Sequence, residues 1–137
     1  MPTLNAVDPT PEQIRAFLDH RKAGEPVYML NLLKFREKAE YRDSKEEISG
    51  REAYQRYAGE FAKINSEKAE TVFGGNANVF LIGEGDGEWD AVAVIRYGSA
   101  KKMFDAVSSE EYRKIHKHRR AGLAGQLLIS CDGDSVF

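Results

Sequence analysis

The chain has 137 residues, of which 42% are hydrophobic and 31% charged, and its formal net charge at pH 7 is -2. This size and composition are typical of one soluble domain, and the absence of a basic excess argues against a dedicated nucleic-acid-binding protein. The single cysteine, Cys131, excludes an intrachain disulfide, and no apolar run approaches the roughly 20 residues of a membrane span. We therefore expect a cytoplasmic protein without membrane or nucleic-acid partners.

The N-terminal segment predicts a short helix over residues 10–23. Thr10 and Gln13 match a capping box, Pro11 fits the first turn, and Gly24 fits the C-terminal stop. We treat residues 1–25 as a helical extension and residues 26–137 as the single domain that follows it.

The rest of the chain alternates between strand and helix patterns. Its first half predicts a strand over 27–35, an exposed connection over 36–48, a helix behind a capping box of Ser49 and Glu52, and a strand over 71–82 bent at Gly74 and Gly75. Its second half predicts a turn over 83–87, a strand over 89–97, a helical stretch from Ser99, a helix from a capping box of Ser108 and Glu111 to about Leu123, and a strand over 126–131.

This order of elements predicts an α+β fold, a ferredoxin-like βαββαβ antiparallel sheet with an extra N-terminal helix. Its strand order is 4-1-3-2, with both main helices on one face. The first and third strands are apolar on both sides, so the helices leave one apolar face uncovered. We expect a second copy to cover that face in an isologous homodimer. The alternative is that the N-terminal helix crosses it, although Ile14, Phe17 and Leu18 form only a narrow apolar stripe.

The topology also brings polar residues to one end of the sheet and helices, where a small-molecule pocket is expected. These residues come from two strands, the first main helix and the last helix: Asn31, Tyr54, Trp89, Asp90, Tyr112, His116, His118 and Arg119. A projection at about 100° per residue places Tyr112, His116 and Arg119 on the inward side of the last helix and His118 on its flank.

Arg119 is the most informative of these residues because a buried guanidinium needs a partner. That partner is either an internal carboxylate such as Asp90 or an anionic ligand. His116 is either a core histidine bonded to the backbone or a catalytic base. Both alternatives remain open at the level of sequence.

Metal and cofactor sites are not predicted. His116 and His118 point about 200° apart on a helix and cannot share a metal ion. The glycines at 83, 85 and 87 are followed by a strand and lack the strand–loop–helix context of a phosphate-binding loop. The basic run over 113–120 is distributed around the helix, which is typical of a solvated surface rather than a nucleic-acid site.

The motifs together resemble the domain-of-unknown-function 1330 family. They lie between about Val27 and Ile129 and occur in the family's order: the run over 31–35, Ser49-Gly50 with Ala53-Tyr54 and Tyr57, Trp89-Asp90, Arg96-Tyr97 with Ser99, and Tyr112 with His118-Arg119. Gly98 stands where the family commonly has proline, and the N-terminal helix lies outside the match.

The resemblance implies a dimeric α+β barrel, in which two ferredoxin-like sheets pack face to face. It implies no established activity, although the superfamily includes cofactor-free monooxygenases, haem-degrading oxygenases, lactone isomerases and chlorite-degrading enzymes. The family pattern points to Asn31, Trp89, Asp90, His118 and Arg119 as site residues. It thus favours His118 where the helical projection favours His116.

Three functions fit these patterns. The first is a cofactor-free oxygenase, isomerase or related enzyme for a compact, partly apolar substrate with an anionic or carbonyl group. Arg119 would bind that group, Asn31 would form one hydrogen bond to the substrate, Trp89 would supply an apolar wall, and His116 or His118 would be the base. The second is a non-catalytic binding or regulatory dimer that uses the same pocket. The third is a structural dimer in which Arg119, Asp90 and Asn31 form an internal network without a pocket.

Overall fold

The computed structural model describes residues 6–20, 24–64, 69–84 and 89–133. In chain order these residues form α1 (Pro11–His20), β1 (Val27–Phe35), α2 (Gly50–Ile64), β2 (Ala69–Asn76), β3 (Ala91–Tyr97), α3 (Ala100–Val107), α4 (Glu110–Gly122) and β4 (Leu123–Cys131).

The strands form one antiparallel sheet in the order β2-β3-β1-β4. Leu30 in the middle of β1 stands opposite Val94 of β3 and Ile129 of β4, which defines the register of the three strands. The predicted ferredoxin-like arrangement with β1 and β3 in the centre is therefore confirmed.

The two faces of the sheet have different surroundings because side chains alternate along each strand. Val27 and Met29 of β1 are buried with Tyr97 of β3 and Ala106 of α3. Phe17 of α1 packs against this same cluster, so α1 lies on the helix-covered side. The alternative in which α1 crosses the other face is therefore wrong.

The opposite face carries apolar side chains of alternate parity and is covered by no helix of the described part of the chain. We call it the open face, and by register it comprises Leu30, Leu32, Phe73, Val92, Val94 and Ile129. Phe73 and Ile129, on the outer strands, are about half exposed. The open face gives the sheet two apolar sides, as its central strands predicted.

Two of the three predicted capping boxes occur in the structure. At α1, Thr10 N donates to Gln13 Oε1 at 2.9 Å and Gln13 N donates to Thr10 Oγ1 at 3.2 Å. At α2, Glu52 N donates to Ser49 Oγ at 3.0 Å and Ser49 N donates to Glu52 Oε1 at 3.4 Å. Both boxes satisfy amides that the first helical turn leaves without an intrahelical partner.

The third box is wrong by one residue. Ser109 caps α4, its Oγ accepting from Tyr112 N at 3.1 Å. Ser108 instead closes α3, because its N–H donates to Phe104 O at 3.0 Å. Two helices meet at two consecutive serines, and each serine serves one of them.

The strand boundaries also differ from the prediction. β2 ends at Asn76 rather than at 82, because its partner β3 begins only at Ala91. Beyond that point Val79, Leu81 and Ile82 are 88%, 93% and 90% exposed. The irregularity in β2 lies between Thr71 and Phe73 instead of at the two glycines. Strand β4 begins at Leu123 rather than at residue 126. Residues 85–87 of the predicted turn lie outside the described residues.

Helices α2 and α4 approach each other through two glycines. A Cβ on Gly50 would lie 2.2 Å from the carbonyl oxygen of Arg36, and one on Gly122 would lie 2.5 Å from that of Gly50. Arg36 N also donates to Gly122 O at 2.8 Å, so the residue that follows β1 is hydrogen-bonded at the point where α2 and α4 cross. Only residues without side chains permit this contact.

We expect Gly122→Ala to lower the free energy of unfolding by about 1–3 kcal/mol, because the added methyl must displace backbone atoms. Gly59→Ala is the matched control, since Gly59 is exposed on α2 and a Cβ there meets nothing within 4 Å. It should raise the free energy of unfolding by about 0.5–1 kcal/mol through helix propensity. Urea denaturation measures both, and equal effects of the two substitutions would contradict the close crossing.

Candidate functional site

A cavity of about 690 Å³ lies between the helix-covered face of the sheet and the helices. It exceeds the roughly 300 Å³ lower limit of ordinary small-molecule sites. Much of its wall is aromatic and comes from all four helices and β3: Phe17, Tyr54, Tyr57, Tyr97, Phe104 and Tyr112. The polar side chains Asn31, His116, Arg119 and Gln126 also line it, and we call these four the polar network.

The polar network runs from α4 to the centre of the sheet. Arg119 Nη2 donates to Gln126 Oε1, and Gln126 Nε2 donates to Asn31 Oδ1 at 2.8 Å. Asn31 Nδ2 in turn donates to the carbonyl oxygens of Met29 at 3.1 Å and Ala93 at 3.3 Å. Because arginine can only donate, the orientation of both amides follows from this chain of bonds. Every amide atom of Gln126 and Asn31 in the network is thereby used.

The side chain of Arg119 is 12% exposed, and its guanidinium has partners from three segments. Its Nη2 also donates to Val7 O, and its Nη1 lies 3.6 Å from Asp8 Oδ1. Asp8 additionally accepts from Arg120. The internal carboxylate beside Arg119 is therefore Asp8, and Asp90, which the sequence offered as one possible partner, is not in contact with it.

His116 faces the same guanidinium, with Nε2 3.4 Å from Arg119 Nη1. Burial, followed by the positive charges of Arg119 and Arg120, lowers the pKa of His116 below its ordinary 6.5, and Asp8 opposes this shift. Since arginine carries no acceptor, Nε2 accepts and the ring proton of neutral His116 lies on Nδ1. His116 is thus a neutral base beside a fixed cation at neutral pH.

Three tyrosines of the cavity wall, Tyr54, Tyr57 and Tyr97, are neutral phenols. Burial raises the pKa of Tyr54 to about 12, although the charge of Arg119 partly counters the effect. Burial also raises the pKa values of Tyr57 and Tyr97 well above the ordinary range. The hydroxyls of Tyr57 and Tyr112 are hydrogen-bonded to each other at 3.1 Å. Tyr54, Tyr57 and Tyr97 therefore give the wall apolar rings with hydroxyl groups and add no negative charge of their own.

The structure brings Asn31, Tyr54, Tyr112, His116 and Arg119 together at the cavity, but it does not bring Trp89 and Asp90 there. Asp90 Oδ2 accepts from Phe35 N at 2.7 Å, and Asp90 N donates to Leu33 O at 2.8 Å. These bonds fasten the end of β1, whereas the cavity lies over the middle of that strand. Placing Trp89 and Asp90 in the pocket was therefore wrong.

His118 lies on the other side of α4, outside the cavity wall. Its Nδ1 is 2.7 Å from Tyr41 Oη, in the connection between β1 and α2. Burial, followed by the charges of Lys117 and Arg56, lowers the pKa of His118. Of the two histidines, the structure therefore places at the cavity the one that the helical projection favoured.

Sequence reasoning missed Gln126 and the residues that precede α1. Gln126 is the only amide in an otherwise apolar strand pattern, and its register opposite Leu33 turns it toward the helices. The position of this amide side chain in the strand could therefore have identified Gln126 as a candidate site residue. Val7 and Asp8 carry no periodic pattern, and only the folded chain places them against Arg119.

Within residues 6–20, 24–64, 69–84 and 89–133, no group of three or more His, Cys, Asp or Glu side chains could hold a metal ion. None of the helices described in the structure is long and apolar enough to cross a membrane.

Comparison with known proteins assigns the chain to a family. Residues 27–130 match the model of a domain of unknown function, DUF1330. The chain belongs to the DUF1330 family. The match begins at β1, so α1 and the residues before it lie outside the family domain. No curated protein matches the chain.

Solved structures with the same fold include two of RPA0582, described as a protein of unknown function from Rhodopseudomonas palustris. The methylated form is 29% identical, with a TM-score of 0.88, and the match covers 98% of each chain. The other is 30% identical, with a TM-score of 0.85, and the match covers 94% of this chain and 97% of that one. A more distant likeness is SnoaB from Streptomyces nogalater, a cofactor-independent oxygenase, at 12% identity and a TM-score of 0.48 over 82% of this chain and 96% of that one. This last likeness carries no argument about function in the present DUF1330 protein.

The lowered pKa of His116 predicts how stability depends on pH. As pH falls from about 7.5 to about 5.5, His116 binds more protons in the unfolded chain than in the folded protein, so the free energy of unfolding falls. His116→Gln should flatten this dependence, and His118 should account for a remaining slope of the same sign. Urea denaturation at several pH values tests this, and an unchanged slope in His116→Gln would contradict the assignment.

Proposed function

We propose that the protein binds a small, mainly apolar molecule that carries one anionic or carbonyl group. The observation that carries this proposal is a cavity of about 690 Å³ with aromatic walls and a largely buried arginine in one of them. Apolar walls supply binding energy through burial, and a few fixed polar groups determine orientation.

The residues divide into those that contact the ligand and those that position Arg119. Arg119 donates to the ligand oxygen, because a guanidinium forms strong charge-assisted hydrogen bonds to acceptors. Tyr54 and Tyr112 provide apolar contact. Gln126 and Asn31 hold the guanidinium in place, since their amide groups are already bonded to one another and to the sheet. Asn31 thereby becomes a positioning residue rather than the ligand contact expected from sequence.

Catalysis without a cofactor is the second candidate, and the position of His116 favours it. Neutral His116 could take a proton from a C–H next to the carbonyl group of the ligand and return it to another carbon of the same ligand, while Arg119 stabilises the enolate between the two steps, so that the net reaction is an isomerisation. His116 Nε2 is 3.4 Å from Arg119 Nη1, a long contact that leaves its lone pair able to accept a proton from a ligand bound at the same guanidinium. In a screen of carbonyl compounds followed by chromatography, His116→Gln should then lose turnover and keep ligand binding.

We also propose that the working form is a homodimer joined through the open face. The open face is apolar on the two central strands, and α1 lies on the opposite side of the sheet. A second copy offers a surface of the same shape and character, which is the requirement of an isologous interface. The cavity lies on the helix-covered side, so each protomer would keep its own site.

The ligand site is tested with 2-naphthoate and 2-acetylnaphthalene, which pair one aromatic body with an anionic or a ketone oxygen. We expect both to bind, and Arg119→Gln to weaken binding about tenfold or more, because a charge-assisted hydrogen bond is lost. Isothermal titration calorimetry measures the affinities. Arg113→Gln, an exposed change outside the cavity wall on the same helix, is the control. Absence of binding, or equal losses in both variants, would overturn the proposal.

The dimer is tested by light scattering, which should give twice the 15.4 kDa mass of one chain. Ile129→Lys should yield monomers, because it places a charge on the open face. Leu18→Lys is the matched control, since Leu18 on α1 is 49% exposed and Ile129 is 48% exposed. A wild-type monomer at micromolar concentration, or dissociation by Leu18→Lys alone, would contradict the interface.

A further inference from the structure

Residues between Ala6 and Phe17 form one wall of the cavity. Ala6 to Pro9 and the side chains of Gln13, Ile14 and Phe17 in α1 all line it. We call residues 6–20 the N-terminal lid. It lies outside the residues that match the family model, so the lid is an addition to the family domain.

Four polar contacts hold the first part of the lid. Gln126 N donates to Ala6 O at 2.8 Å, Arg119 donates to Val7 O, Arg120 donates to Asp8, and Arg119 also forms an ion pair with Asp8. The helical part of the lid contributes no buried side chain, and Phe17 is its contact with the core, 5.8 Å from the ring of Phe104. The lid is therefore held mainly by the arginines that the ligand would also use.

Asp8 occupies the place at which an anion would meet Arg119. Its Oδ1 is 3.6 Å from Arg119 Nη1, its Oδ2 accepts from Arg120, and its side chain is 42% exposed. A carboxylate is thus already accommodated between two guanidinium groups at the mouth of an apolar cavity. Of the partners of Arg119, Val7 and Asp8 belong to the lid, and Gln126 and His116 belong to the family domain.

We infer, on the basis of the proposed function, that the ligand is an apolar carboxylic acid whose carboxylate replaces that of Asp8 at Arg119. Asp8 is then an internal competitor that keeps the lid closed over the empty cavity. The ligand's apolar body would lie among the aromatic side chains, with its carboxylate at the mouth between Arg119 and Arg120. Displaced Asp8 turns to solvent at small cost, because it is already partly exposed.

A neutral ligand gains nothing from removal of Asp8, whereas a carboxylate gains in two ways. When Asp8 is removed, the ligand carboxylate does not have to compete with another carboxylate for Arg119, and it is not repelled by the negative charge of Asp8. The comparison of a carboxylate with its neutral amide therefore distinguishes competition between charges from a change in the size of the cavity entrance, because a change in size would affect both ligands alike.

The experiment measures the affinities of 2-naphthoate and 2-naphthamide by calorimetry for the wild-type protein, Asp8→Asn and Asp19→Asn. Asp8→Asn should bind naphthoate about three- to fivefold more tightly, the effect of a partly exposed ion pair, and should bind naphthamide as the wild type does. Asp19→Asn, a change of the same kind at an exposed position of α1 outside the cavity wall, should match the wild type for both ligands. Thermal denaturation verifies that the variants are folded.

Hydrogen exchange of residues 11–20 gives a second measurement. Naphthoate should accelerate exchange in α1 of the wild-type protein, because it releases the Asp8 contacts, and Asp8→Asn should exchange faster even without ligand. Unchanged naphthoate affinity in Asp8→Asn, or an equal gain for naphthamide, would overturn this inference and leave the proposed function intact. If neither ligand binds any of the three proteins, the proposed function itself is overturned.

Discussion

The guanidinium of Arg119 must be compensated inside the protein, because water reaches only 12% of its side chain. That requirement explains why the cavity has a polar side at all. The amide of Gln126 compensates it from the sheet, and Val7 and Asp8 compensate it from the N-terminal lid. Burial and, after it, this charge lower the pKa of His116 and keep that histidine neutral. One buried cation thus connects the lid, the sheet and the titrating group of the site.

The sequence was sufficient for the fold because two independent patterns agreed on it. The apolar residues of β1 and β3 at both parities required a sheet covered on two sides, and the order of the elements restricted the topology to one arrangement. The end of β2 could not be predicted in this way. Val79 to Ile82 have strong strand propensity, but a strand also needs a neighbour, and β3 begins too late to pair with them.

The candidate site was partly predictable for a similar reason. Helical geometry alone placed His116 and Arg119 on the inward side of α4, and the structure has both at the cavity. Topology predicted at which end of β3 Asp90 lies, but it did not predict how far along the sheet the cavity lies. Trp89 and Asp90 were therefore expected at the cavity, although they lie outside its wall. The contact of Asp8 with Arg119 depends on the path of a segment without periodicity, and no local sequence pattern could have predicted it.

The chain of amides behind Arg119 has a direction. Each group in it donates toward the sheet and presents its oxygen toward the guanidinium, from Asn31 through Gln126 to Arg119. The dipoles are therefore aligned head to tail with their negative ends toward the cation, as at the C-terminus of a helix. Such alignment polarises successive bonds and spreads part of the positive charge into the centre of the sheet. The protein consequently holds a cation at an apolar cavity without a carboxylate beneath it, and the carboxylate that pairs with this cation, Asp8, lies on its outer and partly exposed side.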